Sequence, residues 1–237
     1  MRSLLRRVYR TFVPVPIPPC DLPTIAVLTH VLQPKSNAID VGCNQGSILR
    51  EIVRLAPSGK HMAFEPIPRV HRLLSRAFPS VDCRRIALSD AAGTTHFSHY
   101  TRMDGFSGMM YRRIGDNEGP VEQIEVQMAT LDSIVSPDES IALIKIDVEG
   151  AELRVLRGAQ RILREQKPVV VFECGKGGLD LYGHAPDQLF DLLRGCGLGI
   201  AALNAWSPSA ATMSREQFVD AFWKMAEFMF VASPSRV

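Results

Sequence analysis

Ala38-Ile39-Asp40-Val41-Gly42-Cys43-Asn44-Gln45-Gly46, followed by Ser47-Ile48-Leu49-Arg50, is the stretch that decides the fold. Ala38 to Val41 reads as the end of a buried strand, and Gly42 to Gly46 as a tight turn. Ile48, Leu49, Ile52, Val53 and Leu55 recur at helical spacing, so an amphipathic helix follows. Strand, glycine loop and helix in that order hold nucleotide-like ligands in open α/β sheets. The loop is not G-x-G-x-x-G. Asp40 would repel a pyrophosphate seated at the helix N-terminus, whereas it suits a cationic ligand. Asn44 can take the left-handed backbone conformation that a middle glycine would supply. The plain alternative is a tight turn with Asp40 as the helix cap.

Outward from this stretch, strand and helix alternate. Strands are expected over Asn37–Val41, Lys60–Glu65 (ended by Pro66), Val81–Ala87, Ile141–Val148 and Pro168–Cys174. Helices are expected over Thr24–Leu32, Ser47–Leu55, Arg69–Phe78, Glu149–Gln166 and Pro186–Cys196. The tail reads as strand Leu198–Leu203, helix Ser214–Met225 and strand Glu227–Ala232. This rhythm predicts an α/β protein with a parallel sheet covered by helices on both faces. Residues 93–128 break it, with strands Thr94–Tyr100 and Val121–Met128 on either side of Thr101–Pro120. A connection that long is either a functional lid or disordered. Met103, Met109 and Met110 with Phe106 could give a lid an adaptable apolar face, or could be ordinary packing.

A length of 237 residues suits one domain spanning 1–237, and a 46% hydrophobic, 22% charged composition is that of an ordinary globular protein. A net charge of +2 makes no case for nucleic acid. No apolar run is long enough to span a bilayer, and the N-terminus lacks a signal-peptide pattern. Residues 1–23 form a basic segment with Arg2, Arg6, Arg7 and Arg10, then a stiff linker with Pro14, Pro16, Pro18 and Pro19. A solvated helix, or one touching a membrane or acidic partner, fits residues 1–12. Cys20, Cys43, Cys83, Cys174 and Cys196 are odd in number and never form C-x-x-C. Neither a disulfide framework nor a zinc site is therefore expected, and a reducing cytoplasm is the expected compartment.

The predicted strands end in acids: Asp40, Glu65, Asp90 just past strand three, Asp147 with Glu149, and Glu173. In a parallel sheet those ends face one crevice, where ligands bind. Six carboxylates there suit a cation, a hydroxylated ring or a divalent metal rather than phosphates. Glu65, 25 residues after Asp40, stands where an acid accepts ribose hydroxyls. S-adenosylmethionine combines these needs through its sulfonium, its ammonium and its ribose diol.

Asp40-Val-Gly-Cys-Asn-Gln-Gly46, Phe64-Glu-Pro66, Ala87-Leu-Ser-Asp90, Thr130-Leu-Asp132, Lys145-Ile-Asp-Val-Glu-Gly-Ala-Glu152 and Phe172-Glu173 resemble the FkbM family of S-adenosylmethionine-dependent methyltransferases over about residues 36–175. The resemblance implies a Rossmann-like class I methyltransferase fold, a mostly parallel seven-stranded sheet whose last strand is antiparallel. It implies O-methylation of a hydroxyl, often on a sugar or a polyketide. It places Asp40, Gly42, Cys43, Asn44 and Gly46 at the methionine end, Glu65 and Pro66 at the ribose, and Ser89 and Asp90 near the adenine. The Lys145–Glu152 motif would border the acceptor. Cys43 replaces the usual alanine, and a thiol there could sensitise the site to oxidation.

An alcohol is a weak nucleophile, so a general base is useful. Asp147, Glu149 and Glu173 are the candidates, with Lys145 partly neutralising them and His184 as an outsider. Lys145 and Asp147 are two residues apart and share a strand face. No metal is expected, although clustered carboxylates could instead hold Mg²⁺ or Ca²⁺. Glu152 is expected to cap or to face solvent. Two other readings stand beside the O-methyltransferase: a binding protein without turnover, and an NAD-dependent oxidoreductase, which Asp40 and the missing third glycine disfavour. The expected partner is a saccharide or small-molecule hydroxyl acceptor. Neither its identity nor the oligomeric state is legible.

Overall fold

A computed structural model describes residues 18–115 and 119–234. The basic stretch 1–12, with Pro14 and Pro16, lies outside the described residues. Pro18 leads into a 3-10 turn at Pro19–Asp21 and then α1, Leu22–Val31, with Pro23 in its first turn. Four short apolar strands fill the middle of the main sheet: β1 (Ala38–Val41), β2 (Met62–Phe64), β7 (Leu143–Ile146) and β8 (Val169–Glu173). Parallel strands covered on both faces read as continuous apolar runs, and β1 and β7 are buried at every position. The edges are β3 (Asp82–Arg84) on one side and β10 (Met229–Pro234) with β9 (Leu198–Ala202) on the other. The order is β3-β2-β1-β7-β8-β10-β9, and β10 runs antiparallel to both neighbours.

Helices α2 (Ser47–Leu55) and α3 (Pro68–Ala77) follow β1 and β2. Helix α7 (Pro186–Gly195) precedes β9, and α8 (Arg215–Trp223) precedes β10. Ile146, Phe172, Phe218, Phe222 and Phe230 belong to the largest buried core, and Leu28, Ile52 and Leu143 to another under α1 and α2. Burying one such side chain contributes about 1.5–3 kcal/mol, so helix placement follows the apolar stripes.

The predicted strand Val81–Ala87 is two strands. Exposed Arg85 separates β3 from β4 (Ala87–Leu88), and β4 leaves the main sheet. It pairs with β6 (Val121–Ala129), which also pairs antiparallel with β5 (Gly93–Tyr100). The break at residues 93–128 is thus a hairpin in a second, three-stranded sheet.

The predicted helix Glu149–Gln166 is also two elements, α5 (Glu152–Arg157) and α6 (Gln160–Glu165). Glu149 and Gly150 have φ of 59° and 103°, which delays the start. Gly158 interrupts the middle, because a Cβ there would stand 2.1 Å from the Ser89 carbonyl oxygen. The short helix α4 (Leu131–Ile134), unexpected from the sequence, supplies Asp132. Its carboxylate accepts the N–H groups of Arg161 (2.8 Å) and Ile162 (3.1 Å), capping α6 from a distant segment.

Gly158→Ala should therefore lower stability by about 1–3 kcal/mol, since a backbone carbonyl cannot yield to the added methyl. Gly195→Ala, which has open space around it, serves as the control and should be neutral or stabilising. Denaturant unfolding of both variants checks this, and equal midpoints would refute the Gly158 contact.

Candidate active site

The loop after β1 turns through three left-handed residues: Gly42 (φ 72°), Asn44 (φ 43°) and Gly46 (φ 78°). Asn44 adopts the conformation its short polar side chain tolerates. A Cβ on Gly42 would lie 1.9 Å from the carbonyl oxygen of Asp147, so the loop rests on the end of β7. At Gly46 a Cβ would strike Leu74 and Phe78, which seat α2 against α3.

Asp40 does not cap α2, whose start has no side-chain cap. It is fully buried, 0% exposed, and among the described residues neither of its carboxylate oxygens has a hydrogen-bond partner. The Lys145 ammonium lies 3.5 Å from Asp40 Oδ1 and 3.4 Å from Asp147 Oδ2, and donates to the Gly42 carbonyl at 3.0 Å. Burial lowers the proton affinity of Lys145, but the Asp147 and Asp40 carboxylates outweigh it and hold the ammonium above its ordinary value. Asp40 is pushed up by burial, with Lys145 opposing.

Glu65 accepts the N–H of Asn44 on Oε2 (3.1 Å) and of Ile67 on Oε1 (2.9 Å). Burial raises it to about 7 against the pull of those two bonds. It lines a cavity of about 530 Å³ whose other walls include Pro66, Ile67, Ala87, Leu88, Phe97 and Met109. The 3-10 turn Asp104–Phe106 roofs it. Asp104 is held there by Arg69 and by His99 Nε2 at 2.9 Å. Cys43 is buried, and burial with the Asp40 and Glu65 charges drives its thiol well above its ordinary value. This keeps the thiol in its protonated, less nucleophilic form.

A second, open cleft of about 1430 Å³ shares Gly42, Asn44, Asp147 and Glu149 with the first. Lys145 and Glu173 line it too, with Asp21, Asn204 and Phe228 around them. Oxygens of Asp147, Glu149 and Glu173 lie within 4.8 Å of one another, close enough for a divalent cation to bridge. The Asp147 side chain is 39% exposed. Glu149 is raised to about 8 by burial, with Arg112 opposing and Asp147 adding to the rise. Glu173 is raised to about 9 by burial, then by Asp147, Glu152 and Glu149. Glu152 does not face solvent. Its buried carboxylate accepts the N–H of Val148 (2.9 Å) and of Gly150 (3.3 Å), fixing the turn that aims Glu149.

Asp40, Gly42, Asn44, Glu65, Lys145, Asp147, Glu149 and Glu173 thus meet at one end of the sheet. Ser89 and Asp90 are not among the residues lining either cavity, and Ala87 and Leu88 stand there instead. Asp90 binds Arg154 Nε (3.0 Å) and Ser89 Oγ (3.1 Å), which hold its carboxyl low against the effect of burial. His184 shares that neighbourhood, where burial and then Arg157 and Arg154 depress its proton affinity. Sequence reasoning missed Arg112. Its guanidinium pairs with Glu149 and lies 5.4 Å over the Phe106 ring. Its backbone N–H and carbonyl both bind the Tyr100 hydroxyl. A separation of 37 residues between Arg112 and Glu149 left no local signal.

A parallel sheet with this order, one antiparallel strand near its edge and a glycine turn after the central strand define a Rossmann-like methyltransferase fold. The Methyltransferase FkbM domain matches residues 40–198, and the chain belongs to that family and is a methyltransferase. It is 29% identical over 208 residues to Methyltransferase sdnD of Sordaria araneosa, covering 74% of this chain and 78% of that protein. It is 29% identical over 158 residues to the 2-O-methyltransferase NoeI of Sinorhizobium fredii (strain NBRC 101917 / NGR234), covering 60% and 64%. The solved methyltransferase FkbM of Methylobacillus flagellatus KT superposes with a TM-score of 0.50 at 12% identity, over 90% of this chain and 59% of that one. The chain therefore spans less than two thirds of the length of the latter two. The oxidoreductase alternative falls with this assignment. No helix among the described residues is long and apolar enough to cross a membrane.

The raised proton affinity of Glu173 has a sign that can be measured. From its ordinary value of 4.5 up to about 9, the folded chain holds a proton that the unfolded chain has released. This contribution to stability is complete below the lower value and is lost as pH rises through the window. The ligand-free protein should melt at a lower temperature at about pH 9 than at about pH 6. Glu173→Gln should flatten that slope, and an unchanged slope would show that Glu173 titrates normally.

Proposed function

We propose that this methyltransferase carries a methyl group from S-adenosylmethionine to a hydroxyl oxygen of a saccharide or other small-molecule acceptor. One observation carries the reading: a largely apolar slot, with Glu65 and Asp104 in its walls, shares Gly42, Asn44, Asp147 and Glu149 with a cleft that Glu173 also lines. The residues fit that cofactor. Glu65 spends one lone pair of each oxygen on a backbone N–H, which leaves acceptor capacity for a ribose diol. Asn44 Oδ1 is a buried oxygen without a hydrogen-bond partner among the described residues, suited to an ammonium. Similarity to a protein named as a 2-O-methyltransferase supports oxygen as the accepting atom.

Bound S-adenosylmethionine supplies a methyl group activated by its sulfonium. Gly42, Cys43 and Asn44 would form the wall at its methionine end, with Asp40 buried behind them and Gly46 closing the turn. Glu65 and Pro66 hold the ribose, and Ala87 and Leu88, just before Ser89 and Asp90, flank the base. The protein's part is largely positioning, which holds the acceptor oxygen in line with the methyl group. Asp147 and Glu149 line both cavities, but Glu149 is paired with Arg112, so Asp147 would take the proton of the acceptor hydroxyl. Glu173 and Glu149 orient Asp147 and accept hydrogen bonds from further hydroxyls. The hairpin insertion at 93–128 acts as the lid over the cofactor slot.

Calorimetry should show micromolar binding of S-adenosylmethionine and S-adenosylhomocysteine, and no heat with folded protein would refute the reading. Glu65→Gln should weaken both affinities about tenfold or more, as expected for hydrogen bonds to a charged acceptor worth about 1.5–3 kcal/mol. Asp147→Asn should lower turnover strongly with little change in cofactor affinity, while EDTA leaves the wild-type rate intact. A rate abolished by EDTA and restored by Mg²⁺ would instead make the three acids metal ligands.

A further inference from the structure

The Lys145 ammonium stands where two adjacent strands and the glycine turn meet. Asp40 on β1 pairs in register with Lys145 on β7, so the lysine rises between the two strands where both end. It is 6% exposed. Its Nζ donates to the Gly42 carbonyl at 3.0 Å and forms ion pairs with Asp40 (3.5 Å) and Asp147 (3.4 Å). An ammonium has three donors and no acceptor, and here three oxygens from the loop, the strand beneath it and the neighbouring strand surround it. We propose that Lys145 is a positioning residue that locks the Asp40–Gly46 loop to Asp147. The loop and the acid of the acceptor cleft then move as one unit.

This geometry argues against proton transfer by Lys145, because an amine wedged between two carboxylates keeps its charge. It also explains why Gly42 tolerates so close an approach to β7. The φ of 72° turns the Gly42 carbonyl to where Lys145 can hold it, while the absent side chain leaves room for the Asp147 backbone. The inference rests on the loop being the cofactor loop.

A purely structural role, neutralising buried Asp40, makes a different forecast. Removing one member of a buried pair strands the other charge, whereas removing both is often nearly neutral. Lys145→Met alone should therefore melt well below wild type, and Asp40→Asn with Lys145→Met should recover most of the loss. Titration with S-adenosylhomocysteine then separates the roles. Affinity should be at least tenfold weaker in Asp40→Asn/Lys145→Met than in Asp40→Asn, although both fold. Lys145→Arg keeps the charge in a planar fork that cannot serve the same three oxygens. It should stay folded and bind at least tenfold more weakly than wild type, which keeps the test open if the double variant does not fold. Equal affinities in the Asp40→Asn pair, or wild-type affinity in Lys145→Arg, would overturn the positioning role alone. A wild-type chain that binds neither S-adenosylmethionine nor S-adenosylhomocysteine would overturn the cofactor reading and this inference with it.

Discussion

Gly42 lies against the carbonyl oxygen of Asp147 with no space for a side chain, and the rest of the site depends on that contact. It brings the turn after β1 over the end of β7 and forces the left-handed backbone that only glycine adopts without strain. With the turn there, Asn44 reaches Glu65 at the end of β2, and Lys145 reaches both Asp40 and the Gly42 carbonyl. Three adjacent parallel strands thus deliver their terminal acids to one place, as parallel sheets with crossover helices do.

Concentrating carboxylates in a partly dry crevice has an electrostatic consequence. Desolvation is the leading influence on Asp40, Glu65, Glu149, Glu152 and Glu173, and it raises each of them. The fold opposes this by different means at each site. Asp40 has Lys145, Glu149 has Arg112, and Glu65 and Glu152 have backbone N–H groups. Glu173 has acids as its main electrostatic neighbours, which add to the effect of burial and raise its proton affinity further. Groups perturbed by burial and by specific neighbours in a cleft are what catalytic chemistry draws on.

The insertion between β5 and β6 is built into the site as well. The segment from Asp104 to Arg112 crosses the cavity beside Glu65 and is tied down at Arg69, Tyr100 and Glu149. Phe106, Met110 and Tyr111 are large apolar side chains left exposed along it. Adaptable methionine and aromatic surface of this kind suits contact with an organic acceptor.

The strand–turn–helix unit was legible because its signals are local. Buried β1 is apolar throughout except for Asp40, α2 has its apolar stripe at helical spacing, and Gly42 and Gly46 mark the turn. The acids at strand ends were legible for the same reason, and so was the family, since motifs between residues 40 and 198 keep their order. Side-chain destinations were not. Whether Asp90 enters the crevice or pairs with Arg154 depends on where β4 leaves the main sheet, and an apparently continuous strand does not announce that departure. The division of α5 from α6 rests on Gly158 meeting Ser89, 69 residues away in the chain, and Arg112 meets Glu149 only after the hairpin folds over. By itself the sequence determined which residue types stand at the ends of the strands. The tertiary structure decided which of them meet, because contacts between distant residues are set by how sheets and helices pack and not by any local pattern.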